Sequence, residues 1–334
     1  MKAIPSGPLL SVVAPCFNEE ASLPEFVRRM SAACAEFAAG VYEIILVNDG
    51  SRDRTWPCIK ALASANAGIV GLNLSRNHGH QLAVTAGLAR ARGERVLVID
   101  ADLQDPPELL GPLMARMNEG YDVVYARRES RASESRFKRA TAYLYYRFLR
   151  SLSEVDIPSD TGDFRLMSRR IVDRLNQMPE QDRFLRGMVA WLGGAQAELK
   201  YDRAPRFAGA TGYTLARMAR LALAGVTSFS VLPLRLASLM AALGAIAAFF
   251  LAVYVLAGFI AGHAAPGWTS LALIMIFFAT VQLACLGILG AYVGRIFLQV
   301  KGRPLYLIDE AVASERDVGA RSEEKPRLEA LGGR

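Results

Sequence analysis

Two hydrophobic periods alternate between residues 9 and 128 and predict strands and helices in turn. Continuous apolar runs, typical of strands buried on both faces of a sheet, occur at 9–15, 42–49, 68–75, 95–102 and 121–128. Helical spacing of apolar residues occurs at 22–37, 80–91 and 107–120. This alternation predicts a doubly wound α/β domain with a largely parallel sheet.

The chain changes character after residue 128. Residues 133–152 predict a basic helix rich in aromatic residues, 160–178 a loop, a strand and a helix, and 201–230 a basic loop followed by an amphipathic helix suited to a membrane surface. Two long apolar segments follow, at about 235–262 and 268–294. Each is long enough to cross a hydrocarbon core of about 30 Å, which predicts a transmembrane helical hairpin.

The expected organisation is a catalytic domain at 1–232, a membrane region at 233–300 and a tail at 301–334. Arg235 precedes the hairpin and Arg295, Lys301 and Arg303 follow its apolar part, whereas its turn carries no Lys or Arg. The positive-inside rule therefore predicts a multi-pass protein of the bacterial inner membrane with the large domain and tail in the cytoplasm. The alternative is a buried hairpin in a soluble protein. Small-residue patches such as "GILGAYVG" would allow packing into a homo-oligomer.

Composition narrows the class of ligand. The net charge is +7 and hydrophobic residues make up 52% of the 334 positions. The basic excess suits anionic lipid or a phosphorylated substrate, and the absence of nucleic-acid-binding motifs argues against nucleic acid. Four cysteines without a CxxC pair are expected to be free thiols in a reducing compartment.

Polar segments follow the predicted strands at the point where each strand ends: "PCFNEE", "NDGSRD", "LSRNHGH" and "DADLQD". Ligands of doubly wound sheets bind outside the carboxyl ends of the strands. Asp100 and Asp102, with Gln104 close behind, are oxygen ligands suited to Mg²⁺ or Mn²⁺. Asp105 precedes "PPE" and is equally well explained as a helix N-cap.

The other strand ends are less specific alone. Asn18 and Glu19 follow the first strand and are expected either to contact a base or ribose or to cap the next helix. Asp49 begins a turn by composition, and its position at the end of the second strand favours a ribose or base contact.

The ordered set "VVAPCFNEE", "ILVNDGSRDRT", "LSRNHGHQLAVTAGL", "VIDADLQDPPE" and "DTGDFRLMSR", followed by two apolar spans, resembles the polyisoprenyl-phosphate glycosyltransferases of glycosyltransferase family 2. The resemblance covers roughly residues 8–300. It implies a Rossmann-like, glycosyltransferase A-type domain with a C-terminal transmembrane hairpin. It also implies an inverting, metal-dependent enzyme that transfers one sugar from a nucleotide sugar, with a UDP-sugar such as UDP-glucose favoured, to undecaprenyl phosphate. The product would serve cell-envelope glycan or lipopolysaccharide biosynthesis.

The resemblance also implies residue roles. The nucleotide sugar would be bound by Pro15, Asn18, Glu19, Asp49 and Asp100, and the metal by Asp100, Asp102 and Gln104. The acceptor phosphate would be held by Arg127 and Arg139, with Arg203 and Arg206 as further candidates and Arg136 or Lys138 as alternatives to Arg139. Asp102, Asp163, Arg127 and Arg139 would form the catalytic set. Asn48 stands where many relatives carry a second aspartate.

Several side chains keep two interpretations. Asp163 is either a base or a positioning group, and positioning is favoured because a phosphate nucleophile is already ionised. Arg183 and Arg186 are either acceptor-pocket residues or solvated arginines, with the second favoured. His78 and His80 form an H-x-H pair for which hydrogen bonding is favoured over metal binding.

Two rival functions are a polysaccharide synthase and a non-catalytic membrane scaffold or flippase partner. The synthase is disfavoured because only two spans are predicted and the Q-x-x-R-W motif is absent. The scaffold is disfavoured because Asp100, Asp102 and Gln104 are all present.

Overall fold

A computed structural model describes residues 8–38, 41–128, 161–201, 232–261 and 267–313. The chain divides into two compact units. The first comprises Met1–Arg139, Ile157–Gly212 and Pro304–Arg334, and the second comprises Ala140–Asp156 and Tyr213–Arg303.

The first unit contains an eight-stranded mixed sheet with the order β7-β5-β6-β4-β1-β2-β3-β8. The strands are β1 (Leu10–Cys16), β2 (Tyr42–Asn48), β3 (Ile69–Leu74), β4 (Arg95–Val98), β5 (Val123–Arg128), β6 (Thr161–Ser168), β7 (Gln196–Tyr201) and β8 (Ile308–Ala313). The central strands β4, β1, β2 and β3 run parallel. Their carboxyl ends therefore meet along one edge, as the sequence predicted.

Helices pack on both faces of this sheet, because each βαβ connection returns the chain to the same edge. They are α1 (Leu23–Phe37), α2 (Thr55–Ala65), α3 (His80–Arg90), α4 (Leu110–Asn118, preceded by the 3₁₀ turn Pro107–Leu109), α5 (Arg169–Gln177) and α6 (Leu185–Leu192). Alternating strand residues form two separate apolar cores. On β4, Leu97 belongs to the core with α1 and α4, while Val96 and Val98 belong to the core with α3, α5 and α6. The result is a three-layer α/β/α domain.

The sheet departs from the predicted parallel order around β6. This strand lies between β4 and β5 and is antiparallel to both. Because β6 is inserted there, β5 does not pair with β4; it pairs in parallel with β7 on its other side. Part of the expected tail, Ile308–Ala313, forms β8, which pairs antiparallel with β3 at the edge of the sheet.

Some elements of the structure were not predicted, and two predicted helices fall where the structure describes no residues. Helices α2 and α6 and strand β7 were not predicted from the sequence. The helix predicted at 133–152 and the amphipathic helix predicted after residue 201 lie outside the described residues.

The second unit contains two long helices that pack on each other, α7 (Leu232–Ile260) and α8 (Trp268–Val300). Each has an apolar window of spanning length, Ala237–Gly258 and Ile274–Val300, and almost none of that surface is covered by described protein. Large side chains such as Phe249, Phe250 and Phe277 are exposed on these helices. By length and composition, both helices could cross a membrane, and they lie close to the predicted apolar segments.

Candidate active site

Strand register brings two acidic residues together at the carboxyl edge of the sheet. Val98 is the last residue of β4 and pairs with Arg165 of the antiparallel β6. Asp100 follows Val98 by two residues and Asp163 precedes Arg165 by two, so the antiparallel register brings the two aspartates towards each other. His80, the first residue of α3, lies with its Nε2 3.0 Å from Asp163 Oδ2 and 3.8 Å from Asp100 Oδ1. The site is thus built from the ends of β4, β6 and α3.

The turn after β4 carries Asp100 and Asp102, here called the DxD pair, and this segment is the DxD turn. Leu103 has φ of 61°, a left-handed conformation unusual for a branched side chain, and the amide of Gln104 donates to Asp102 Oδ1 at 3.1 Å. Strain of this kind occurs where a site requires a particular backbone path. The Asp102 side chain is half-buried and that of Gln104 is buried. All three predicted metal ligands therefore lie in one short turn.

Negative charge around Asp100 is only partly compensated. Burial, opposed by His80 and helped by the carboxylates of Asp163, Asp105 and Asp102, raises the pKa of Asp100 to about 6. The surroundings therefore disfavour the ionised form of Asp100. A divalent cation bound here would favour that form.

The donor set fits a hard cation that takes part of its shell from substrate and water. Within the residues described, no group of three or more His, Cys, Asp or Glu side chains forms a metal site by itself. Two carboxylates and one amide are instead present, and Mg²⁺ characteristically binds one or two carboxylates together with substrate phosphates. Asp100, Asp102 and Gln104 would be the residues that hold it.

Asp163 is the most heavily paired carboxylate of the site. Its Oδ1 accepts from Arg186 Nε at 2.9 Å and from Arg165 at 3.4 Å, and its Oδ2 accepts from Gln81 Nε2 at 3.1 Å in addition to His80. Burial alone would raise the pKa of Asp163. The hydrogen bond from His80 and the charges of Arg186 and Arg165 outweigh burial and hold this pKa well below its usual range.

A carboxylate so strongly ionised is a poor proton acceptor at neutral pH. The surroundings of Asp163 therefore favour the positioning interpretation over the base. Burial lowers the pKa of His80, but the hydrogen bond with Asp163 and the nearby Asp100 raise it by more, so that the net change is upward. His78 contacts a different partner: its Nε2 lies 3.5 Å from Ser75 Oγ. The two rings are therefore not arranged as an H-x-H metal pair.

The loops after β1 and β2 are bonded to each other. Asn18 adopts a left-handed conformation. Its backbone amide donates to Ser51 Oγ, and its side-chain Oδ1 accepts from the backbone amide of Arg52 at 2.9 Å. The amide of Glu19 donates to Thr55 Oγ1, and Glu19 Oε2 accepts from Ser22 Oγ at 2.6 Å. Asn18 and Glu19 therefore both shape this loop pair, and Asn18 remains exposed at its surface. Pro15 precedes this loop and is buried within β1, where it pairs with Val47 of β2.

Asp49 joins the end of β2 to the loop before α3. Its two carboxylate oxygens accept from the amides of His78 at 2.7 Å and Gly79 at 3.0 Å. The next residue, Gly50, has φ of 63°, and a Cβ there would lie 2.5 Å from the carbonyl carbon of Arg76. Only glycine permits this approach. Asn48, also buried, donates to Asn73 Oδ1 on β3.

The predicted arginines differ in their surroundings. Arg127 lies at the end of β5 and pairs with Glu198 Oε2 on β7 at 2.9 Å. Arg139, Arg203 and Arg206 lie outside the described residues, as do Arg136 and Lys138. Arg183 is buried and donates to the carbonyls of Leu175 and Met178 at the end of α5, so the solvated interpretation is wrong for it. Arg186 belongs to the site because it forms an ion pair with Asp163.

Asp105 is not a helix cap. Neither the 3₁₀ turn nor α4 has a side-chain cap, and the buried Asp105 instead accepts from the hydroxyl of Tyr201 at the end of β7. Gln81 and Arg165 were not singled out by the sequence analysis. Gln81 stands next to His80 at the start of α3, and Arg165 follows Asp163 by two residues on β6, so alternation along a strand was the only clue to it.

Comparison with known proteins gives a consistent family. The profile described as Glycosyl transferase family 2 matches residues 11–175, which include Asp49, Asp100, Asp102 and Asp163. The uncharacterized glycosyltransferase YkcC of Bacillus subtilis is 40% identical over 309 residues, 91% of this chain and 94% of that protein. The bactoprenol glucosyl transferase of Shigella phage SfII is 37% identical over 303 residues, 90% of this chain and 98% of that protein.

Similarity to solved structures is lower. Staphylococcus aureus TarS 1-349 in complex with UDP-GlcNAc is 19% identical, with a TM-score of 0.44, covering 65% of this chain and 66% of that one.

Proposed function

Because the chain belongs to glycosyltransferase family 2, we propose that this glycosyltransferase moves one sugar from a nucleotide sugar to a polyprenyl phosphate. The proposed donor is a UDP-sugar, in the first place UDP-glucose, and the proposed acceptor is undecaprenyl phosphate. The observation that carries the proposal is the extent of the similarity to the phage SfII bactoprenol glucosyl transferase, which covers 98% of that relative. A match that covers 90% of this chain includes the two apolar helices as well as the strands that carry the site.

The chemistry of the site fits a phosphate nucleophile. A phosphate monoester has a second pKa near ~6 and is largely dianionic at neutral pH, so its attack on the anomeric carbon requires no general base. Asp163, paired with Arg186 and His80, then serves to hold cationic groups in place. A single displacement by this nucleophile inverts the anomeric carbon.

The donor would lie along the carboxyl edge of the sheet. Asn18, Glu19 and Asp49 are proposed to contact the nucleoside, and Asp100 and Asp102 to face its diphosphate. Mg²⁺ or Mn²⁺ held by these two carboxylates and Gln104 would neutralise charge on the departing nucleoside diphosphate. Arg127, with Arg139, Arg203 and Arg206, is proposed for the acceptor phosphate because guanidinium groups match phosphate oxygens.

Location follows from the two apolar helices. We place α7 and α8 across the bacterial inner membrane, with both of their outer ends and the catalytic unit in the cytoplasm, because basic residues flank those ends and not the turn. The lipid acceptor and the soluble donor would then meet on the cytoplasmic side.

A lipid-extraction assay tests the proposal. Membranes containing the full-length protein are incubated with undecaprenyl phosphate and each of a panel of radiolabelled nucleotide sugars. Label should enter the lipid fraction with one UDP-sugar, require Mg²⁺ or Mn²⁺, and be lost in Asp102→Asn. Asp173→Asn, at an exposed position on α5, is the matched control and should retain activity. Labelled lipid at undiminished yield in chelator or in Asp102→Asn would contradict the proposed site.

A further inference from the structure

Gln81 joins three elements of the site through one neutral side chain. Its Nε2 donates to Asp163 Oδ2 on β6 at 3.1 Å, and its Oε1 accepts from the amide of Leu185 at 3.0 Å. Leu185 is the first residue of α6, whose first four amides have no partner within the helix. One amide group therefore connects the start of α3, the catalytic end of β6 and the start of α6.

Arg186, the residue after Leu185, links this connection to the position of Asp163. Arg186 extends from the first turn of α6 to Asp163, with Nε 2.9 Å from Oδ1 and NH2 3.3 Å from Oδ2. The direction of the guanidinium depends on where α6 begins, and Gln81 fixes that point. Asp163 Oδ2 thereby faces His80 Nε2, which also lies 3.8 Å from Asp100 Oδ1.

We propose that Gln81 is a positioning residue for sugar transfer, which sets the start of α6 so that Asp163 holds Arg186 and His80 beside the DxD turn. This inference rests on the proposed function and adds a residue to its machinery. Gln81 itself need not touch the substrate. Its two hydrogen bonds act through Asp163 and through α6.

The nucleoside contacts proposed above are not made through Gln81. Asn18 and Glu19 are held by the loop after β2, and Asp49 by the amides of His78 and Gly79. Loss of the Gln81 amide should therefore reduce kcat and leave nucleotide affinity unchanged. Misplacement of catalytic groups by about 1 Å can cost roughly 100-fold in rate, so a 10- to 100-fold fall in kcat is expected.

Gln196, the first residue of β7, offers a matched control at the other end of α6. Its Nε2 donates to the carbonyls of Val189 and Gly193 at the far end of α6. Gln81→Met and Gln196→Met each remove a side-chain amide that bonds to one end of α6, the first at its start and the second at its end. Gln81→Glu retains an oxygen that accepts from the Leu185 amide but replaces the donor to Asp163 with a carboxylate.

The experiment measures three quantities in the full-length protein in lipid nanodiscs: kcat for transfer to undecaprenyl phosphate, Kd for UDP with Mg²⁺, and hydrogen exchange at the Leu185 amide. Gln81→Met should lower kcat 10- to 100-fold, keep Kd within twofold and speed exchange. Gln81→Glu should lower kcat with exchange close to wild type, and Gln196→Met should change neither kcat nor Leu185 exchange.

Two results would overturn the inference: kcat of Gln81→Met within twofold of Gln196→Met, or loss of UDP affinity in proportion to kcat. Should wild-type protein transfer no sugar to the lipid, the proposed function fails, and the positioning role in transfer fails with it. The exchange rate at Leu185 would still report whether Gln81 fixes the start of α6, so the two failures remain distinct.

Discussion

Asp100 should destabilise the metal-free protein at neutral pH, and Asp100→Asn should relieve that cost. Burial and the neighbouring carboxylates raise the pKa of Asp100 to about 6. A folded-state pKa about two above the ordinary value corresponds to about 3 kcal/mol between the protonated and ionised forms. Because the side chain is 31% exposed, solvent screening reduces the expected effect to about 1–3 kcal/mol.

The sign of the pH dependence follows from the direction of this pKa change. A group whose pKa is raised on folding contributes stability below its unfolded-state pKa, and that contribution is lost as pH rises through the folded-state pKa. Asparagine resembles the protonated carboxyl and does not titrate. The free energy of unfolding of Asp100→Asn minus that of wild type should therefore grow by about 1–3 kcal/mol between pH 4 and pH 8.

Urea unfolding of the full-length protein in detergent and chelator, followed by tryptophan fluorescence, measures this difference. Asp173→Asn controls for removal of an exposed carboxylate. Mg²⁺ should stabilise wild type at pH 8 and thereby narrow its difference from Asp100→Asn, because only the native wild-type carboxylate binds the ion. An Asp100→Asn protein no more stable than wild type at pH 8 in chelator would refute the claim that the charge of Asp100 is only partly compensated.

Two further predictions concern positions in the α/β domain outside the candidate metal site. Gly50→Ala should cost at least about 2 kcal/mol more in unfolding free energy than Gly120→Ala, and it should weaken UDP binding. Both glycines have positive φ, but of the two only Gly50 has backbone atoms where a Cβ would lie. Equal costs for the two substitutions in calorimetry would contradict this prediction. Glu43→Gln should lower the free energy of unfolding by about 2–3 kcal/mol, since the buried Glu43 accepts from Ser11 Oγ at 2.6 Å and from the guanidinium of Arg92. Exposed Glu36→Gln is the comparison in the same urea titration, and an equal cost at both positions would count against the buried network.

The predictable part of the fold is the part specified by local periodicity. The apolar runs of β1 to β4 reflect burial on both faces of the sheet, and the amphipathic pattern of α1 reflects burial of one helix face, so the positions of these elements agree with the sequence to within a few residues. The family resemblance rested on the same strand ends and is confirmed by the similarity to known relatives.

The parts that sequence reasoning missed depend on distant partners. Strand β8 has mostly exposed side chains, and only its pairing with β3, more than 230 residues earlier in the chain, makes it a strand. The insertion of β6 beside β4 depends on pairing across the fold in the same way. That insertion places Asp163 beside Asp100, and no spacing in the sequence indicates that Arg186 and Gln81 meet at Asp163.

Calorimetric binding of UDP-glucose to wild type and to Asp102→Asn, each with Mg²⁺ and with chelator, tests the central claim most directly. The account predicts that wild type binds at least tenfold more tightly with Mg²⁺ than in chelator, and that Asp102→Asn binds equally weakly in both conditions. Equal affinity of wild type with and without the ion would contradict the assignment of the DxD turn to a metal-bound sugar diphosphate.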